Sequence, residues 1–116
     1  MELSAKTEEP LHIVSVMDTR IDAAVALDFK DAMRQTTAEA PETVVLDLSN
    51  VGFIDSSGLG AIVATMKHLA PERKLVLAGL TPTVDKVFRL TRMDSVFSLY
   101  PTLDGALAEL NAQNQA

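Results

Sequence analysis

Cysteine is absent from this chain of 116 residues, and aromatic residues make up only 4 % of it. Without cysteine, the chain has no disulfide framework, no redox thiol and no thiolate metal site. Hydrophobic residues nevertheless account for 47 % of the sequence. We therefore expect one domain spanning residues 1–116, with a core that is mainly aliphatic.

Basic residues are also scarce, since 10 lysines and arginines face 16 aspartates and glutamates, for a net charge of −6. Such an acidic chain lacks the basic face that nucleic acids require, and anionic membranes would repel it. A basic protein partner suits it better. No apolar run approaches the ~18 residues of a membrane span, and the first residues do not resemble a signal peptide. We expect a cytoplasmic protein that needs no membrane.

Strand and helix patterns alternate along the chain. Short apolar runs predict strands at 12–16, 44–48, 75–78 and 96–99, with a weak edge strand within 1–8. Apolar residues at helical spacing predict helices over 22–39 and 58–69, one from Pro82 and one after Thr102. This order predicts an α/β fold with a mostly parallel sheet of four to five strands and about four helices. The core spans about 11–110, and the polar tail 111–116 is expected to fray.

The most informative stretch is residues 53–60, Phe-Ile-Asp-Ser-Ser-Gly-Leu-Gly. It joins a predicted strand to a predicted helix, and Asp55 and Ser57 there are suitable N-cap residues. Free N–H groups and the dipole at a helix start favour an anion, so a serine here is suited to carry a phosphate. Asp22 is the expected N-cap of the first helix. Loop 18–22 and turn 55–58 both follow strand ends and should lie on one edge of the sheet.

Enzyme interpretations fit these residues poorly. A serine hydrolase elbow needs a glycine where Ile54 stands, and His12 and His68 are predicted to lie too far from Ser56 to act as its base. A dinucleotide fingerprint fails because Val63 occupies the third glycine position. Two separated histidines make no metal site, and both are expected to be exposed or half-exposed structural side chains. We predict no catalytic residue, cofactor or metal.

The stretch Asp55-Ser56-Ser57-Gly58-Leu59-Gly60, with the segment 51–54 before it, resembles the STAS domain of bacterial anti-sigma factor antagonists. The resemblance covers about residues 11–110. It implies a single STAS domain in which Ser56 is phosphorylated by a partner that is both an anti-sigma factor and a serine kinase of the histidine-kinase-like ATPase type. It also implies a PP2C-type phosphatase that reverses the reaction. The residues implied in partner binding are Arg20, Asp22, Asp55, Ser56, Ser57, Gly58 and Leu59.

One departure from the family pattern stands at Thr19-Arg20, where members usually carry Gly-Glu. A basic residue thus replaces an acidic one on the expected partner-facing edge, so the partner surface is expected to differ there. Two other functions stay open. One is a constitutive STAS adaptor of a transporter, as in lipid-transport complexes, and the other is a nucleotide-binding regulatory domain. We expect a monomer or weak dimer.

Overall fold

The computed structural model describes residues 1–114. Within them, strands and helices follow one another in the predicted order. The strands are β1 (Leu3–Glu8), β2 (Leu11–Val16), β3 (Arg20–Ile21), β4 (Thr43–Asp47), β5 (Phe53–Ile54), β6 (Lys74–Ala78) and β7 (Ser98–Tyr100). The helices are α1 (Ala26–Thr36), α2 (Ser56–Leu69), α3 (Pro82–Leu90) and α4 (Leu103–Asn114), with a 3-10 turn at Met93–Ser95.

Five strands form the main sheet in the order β1-β2-β4-β6-β7. Strand β1 pairs antiparallel with β2 at one edge, and the other pairs are parallel. The prediction of an α/β fold with a mostly parallel sheet is confirmed, as is the edge strand within residues 1–8. The second, two-stranded sheet formed by β3 and β5 was not predicted, because each of these strands has only two residues.

Helices cover both faces of the sheet, which explains the nearly unbroken apolar strands. In the parallel register, Val14, Leu46 and Leu77 form one row across three strands and pack with residues of α1, α2 and α3. The neighbouring row, Ile13–Val45–Val76, packs on the opposite face with residues of α4. Successive side chains of a strand point to opposite faces, so apolar residues at consecutive positions build two core layers.

Some element boundaries differ from the predictions. Helix α1 begins at Ala26 rather than Asp22 and ends at Thr36 rather than Glu39. The last strand is 98–100 rather than 96–99, because Arg92 adopts the left-handed conformation (φ 61°) and the 3-10 turn takes up the following residues. Helix α4 continues through 111–114, where fraying was expected, and residues 115–116 of the predicted tail lie outside the described residues.

Within residues 1–114, no helix is long and apolar enough to cross a membrane.

Candidate functional site

The site predicted at the carboxyl ends of the strands is built from two loops joined by main-chain hydrogen bonds. Arg20 pairs with Phe53 and Ile21 with Ile54 in the small parallel sheet. The amide of Gly52 donates to the Thr19 carbonyl at 2.8 Å. The prediction that loop 18–22 and turn 55–58 lie together is therefore confirmed.

Asp55 connects this edge to the start of α2. Its side chain accepts a hydrogen bond from the amide of Gly58 at 2.9 Å, as the predicted N-cap should, and a second from the amide of Ala23 at 3.1 Å. The bond from Gly58 is the main cause that lowers the pKa of Asp55, and the bond from Ala23 adds to it, against an opposing loss of solvation. The carboxylate thus stays ionised while it joins α2 to the loop before α1.

Gly58 allows α2 to approach β3 closely. A Cβ atom at this position would overlap the carbonyl oxygen of Ile21 and lie 2.8 Å from its carbonyl carbon and 2.9 Å from Cγ1 of Ile54. These atoms belong mostly to the backbone and cannot rotate away. Gly58 is buried, so it positions the helix start, while Leu59 beside it packs partly against the core.

Ser56 and Ser57 are the first two residues of α2, and both side chains are exposed. The first amides of a helix have no intrahelical acceptor, and the amide of Ser57 is one of those that lower the pKa of the Asp55 carboxylate, while both hydroxyls face solvent. Ser57 was expected to act as a cap, and that expectation is wrong. Asp55 occupies the N-cap position and its side chain accepts the capping hydrogen bond.

Asp22 is not the cap of α1. Its Oδ1 accepts the amide of Ala24 at 3.1 Å, and its carbonyl accepts the amide of Val25, so a turn intervenes before the helix. In the same turn, the amide of Ala23 donates to Asp55 of the other loop. The first helical turn of α1 therefore has Val25 at its N-cap position, without a side-chain cap.

Arg20 is bound within its own molecule. Its Nε lies 2.9 Å from Oδ2 of Asp22, and its guanidinium carbon lies 5.1 Å above the ring centre of Phe53. The ion pair and the cation–π contact hold the guanidinium near Asp22 and Phe53, although the side chain is 60 % exposed. Thr19, where the family has glycine, needs no left-handed backbone, since Arg92 is the one non-glycine residue with positive φ in the described chain.

Apolar side chains that the sequence interpretation did not include are exposed around this edge. Phe53 is 43 % exposed and Leu27 is 65 % exposed, although both are large and hydrophobic. Leu27, Lys30 and Ser57 border a groove of about 310 Å³ between α1 and α2. The sequence could have shown that Leu27 is exposed, because Leu27 falls outside the helical spacing of Val25 and Phe29. An exposed apolar residue often marks a contact surface.

The two histidines have different environments. His68 is exposed, as expected, but His12 is buried and its Nδ1 lies 2.8 Å from Oγ1 of Thr7. The prediction for His12 was wrong because strand β1 pairs along β2 and covers its side chain. In residues 1–114, no group of three or more histidine, aspartate or glutamate side chains is arranged to hold a metal ion.

Comparison with known proteins finds a matching family model, related sequences and similar solved structures. The family model described as "STAS domain" matches residues 4–106. The chain is 27 % identical over 115 residues to the "Anti-sigma-B factor antagonist" of Listeria monocytogenes, covering 98 % of this chain and 97 % of that protein. It is 30 % identical over 87 residues to the "Anti-sigma-F factor antagonist RsfB" of Mycobacterium tuberculosis, covering 75 % and 71 %. The solved structure of an anti-sigma factor antagonist from Mycobacterium paratuberculosis superposes with a TM-score of 0.84 at 32 % identity, covering 95 % and 93 %.

Proposed function

The chain belongs to the STAS-domain family, and from that premise we propose that it is an anti-sigma factor antagonist controlled by phosphorylation of Ser56. Unphosphorylated, it binds an anti-sigma factor that is also a serine kinase of the histidine-kinase-like ATPase type. Phosphorylated, it releases that partner. In this proposal the chain is a binding module and a substrate, and the catalytic groups belong to the kinase and to a PP2C-type phosphatase. We place this cycle in the cytoplasm.

The observation that carries the proposal is the position of Ser56. It is exposed at the first position of α2, next to an ionised Asp55 and on the edge where loops 18–22 and 55–58 meet. A kinase can reach the hydroxyl without unfolding any element. Relatives named as antagonists of anti-sigma factors match nearly the whole chain, which supports the same kind of partner.

The partner surface that we propose surrounds Ser56. Arg20, Asp22 and Asp55 provide its charged part, and Ser57 and Leu59 lie at the start of α2. Gly58 contributes by its position, because it is buried beneath the helix start. The net charge of −6 favours association with a basic partner.

Phosphorylation changes the interface more than the fold. The phosphate adds about −1.5 to −2 charges beside the carboxylate of Asp55. The positive end of the α2 dipole favours a phosphate at this position by about 0.3–1 kcal/mol, so we expect the domain to tolerate it. The complex must instead accommodate a bulky anion within its contact surface. A loss of about 3 kcal/mol would weaken binding by roughly two orders of magnitude, which is sufficient for a switch.

The test is reconstitution with the cognate kinase. Wild type, Ser56→Ala and the matched control Ser57→Ala are incubated with kinase and ATP, and phosphopeptides are mapped by mass spectrometry. We expect one phosphoryl group on Ser56 in wild type and in Ser57→Ala, and none in Ser56→Ala. Calorimetry should show that Ser56→Ala still binds the kinase and that ATP no longer releases it. Labelling of Ser57 alone, or release of Ser56→Ala by ATP, would overturn the proposal.

A further inference from the structure

The groove between α1 and α2 contains a second, basic region away from Ser56. There, Lys30 and Arg34 of α1 face His68 of α2 across a cavity of about 70 Å³, with Ala64 and Thr65 also lining it. His68 is 12 residues further along α2 than Ser56, or roughly 18 Å at 1.5 Å per residue. The far end of the region is therefore remote from Ser56, although Lys30 also borders the groove beside Ser57.

None of these three side chains forms an ion pair within the described residues, although Asp31 lies beside Lys30 on α1. The ion pairs found within residues 1–114 use Lys6, Arg20 and Arg89 as their basic members, and none includes Lys30, Arg34 or His68. Because the whole chain carries a net charge of −6, a cluster of three basic groups is not expected from its composition. The hydroxyl of Thr65 donates to the carbonyl of Ala61 at 2.9 Å, which leaves the three basic side chains as the donors of the cavity.

The size of the cavity limits what it can hold. A volume of about 70 Å³ is several times the ~10–15 Å³ that one water molecule needs, so the cavity suits a compact group such as a tetrahedral oxyanion. A whole nucleotide is several times larger and would leave its base and sugar outside the groove.

We propose that Lys30, Arg34 and His68 form a binding site for a tetrahedral oxyanion, namely phosphate, sulfate or the terminal group of a phosphomonoester. The guanidinium of Arg34 suits two parallel hydrogen bonds to such an anion, and Lys30 supplies a compact positive charge. His68 donates from the opposite helix. The site bridges α1 and α2, and it does not depend on the partner proposed above.

The positions of two of these basic side chains could also be explained by their place at helix ends, and the experiment must distinguish that role from anion binding. Arg34 and His68 lie in the last turns of α1 and α2, where basic side chains also interact favourably with the helix dipole. Lys30 lies a turn earlier and is not explained in that way. Lys67 is the matched control, because it occupies the same last turn of α2 but does not line the cavity.

The probes are sodium sulfate, sodium phosphate and O-phosphoserine, titrated into the full chain and followed by amide NMR shifts, with sodium chloride at equal ionic strength. We expect saturable shifts in 30–36 and 64–69 with each oxyanion and none with chloride. Arg34→Gln and Lys30→Gln should each weaken sulfate binding by about tenfold, the lower range for a charge-assisted hydrogen bond, and His68→Ala should weaken it too. Lys67→Gln should bind as wild type does.

Tighter binding of O-phosphoserine than of phosphate would assign the site to a phosphomonoester, and the reverse order to the free ion. Equal shifts with chloride, non-saturating shifts, or equal losses in Lys67→Gln and His68→Ala would overturn the proposal. Melting temperatures of the variants serve as the folding control. A variant that melts early but keeps wild-type sulfate affinity would show that its side chain only stabilises a helix end, and would also contradict the site.

Discussion

Gly58→Ala should change the stability of the protein through two effects of opposite sign. Helix propensity favours alanine over glycine by up to about 1 kcal/mol, and by less in the first turn where Gly58 stands, so propensity alone predicts a more stable protein. The structure predicts the contrary, since the added methyl group would overlap the carbonyl oxygen of Ile21 and crowd Ile54. Overpacking typically costs about 1–3 kcal/mol, and the upper part of that range applies because the opposing atoms are backbone. We expect a net loss of about 2 kcal/mol.

Gly60→Ala is the matched control for this change. It lies in the same helix, and a Cβ atom there would meet no atom within 4 Å. Without a clash, only the propensity gain of about 0.5–1 kcal/mol remains, and the protein should become more stable. The two variants differ by one methyl group at positions two residues apart, so their comparison isolates the approach of α2 to β3.

The assay is urea unfolding followed by circular dichroism. With a slope of about 1–3 kcal/mol per molar urea, a loss of about 2 kcal/mol lowers the midpoint of Gly58→Ala by roughly 1 M, while that of Gly60→Ala rises slightly. A midpoint for Gly58→Ala at or above the wild-type value would refute the close approach. In that case the position of Ser56 relative to loop 18–22 would be wrong as well.

Two further predictions concern the charges of the site. Arg20 stands where the family usually has an acidic residue, so we expect the partner surface opposite it to be acidic or neutral although the partner as a whole is basic. Arg20→Glu should then weaken binding to the cognate kinase, which calorimetry at two ionic strengths with Arg20→Gln as control checks. Stronger binding would show a basic patch opposite Arg20, and unchanged affinity at both ionic strengths would place Arg20 outside the interface. The pKa of Asp55 is lowered on folding by the amides that bind it, so its contribution to stability is complete above its ordinary value of 3.8 and is lost as the pH falls below that value. The urea midpoint of wild type should therefore be higher than that of Asp55→Asn near neutral pH, and the two midpoints should become equal in acid. A difference in midpoint that does not change with pH would contradict the role of the charge.

Several features were readable from local sequence because the interacting groups are close along the chain. Asp55 caps α2 through an amide three residues away, and Thr102 caps α4 through the amide of Gly105 at 3.0 Å. Thr81 shows the limit of such reasoning. It precedes Pro82 in the N-cap position, as predicted, but its hydroxyl donates to the distant carbonyl of Val51 at 2.8 Å instead of capping the helix.

The sequence by itself determined the order of strands and helices, the two-sided core and the strand-to-helix turn that exposes Ser56. These depend on side-chain periodicity and on hydrogen bonds within a turn, both of which short spacings encode. Only the tertiary structure decided that Asp55 also binds the amide of Ala23, 32 residues away, in the turn that precedes α1. It also brought Lys30 and Arg34 to face His68. Such arrangements depend on how α1 and α2 pack side by side on one face of the sheet, and no local spacing specifies them.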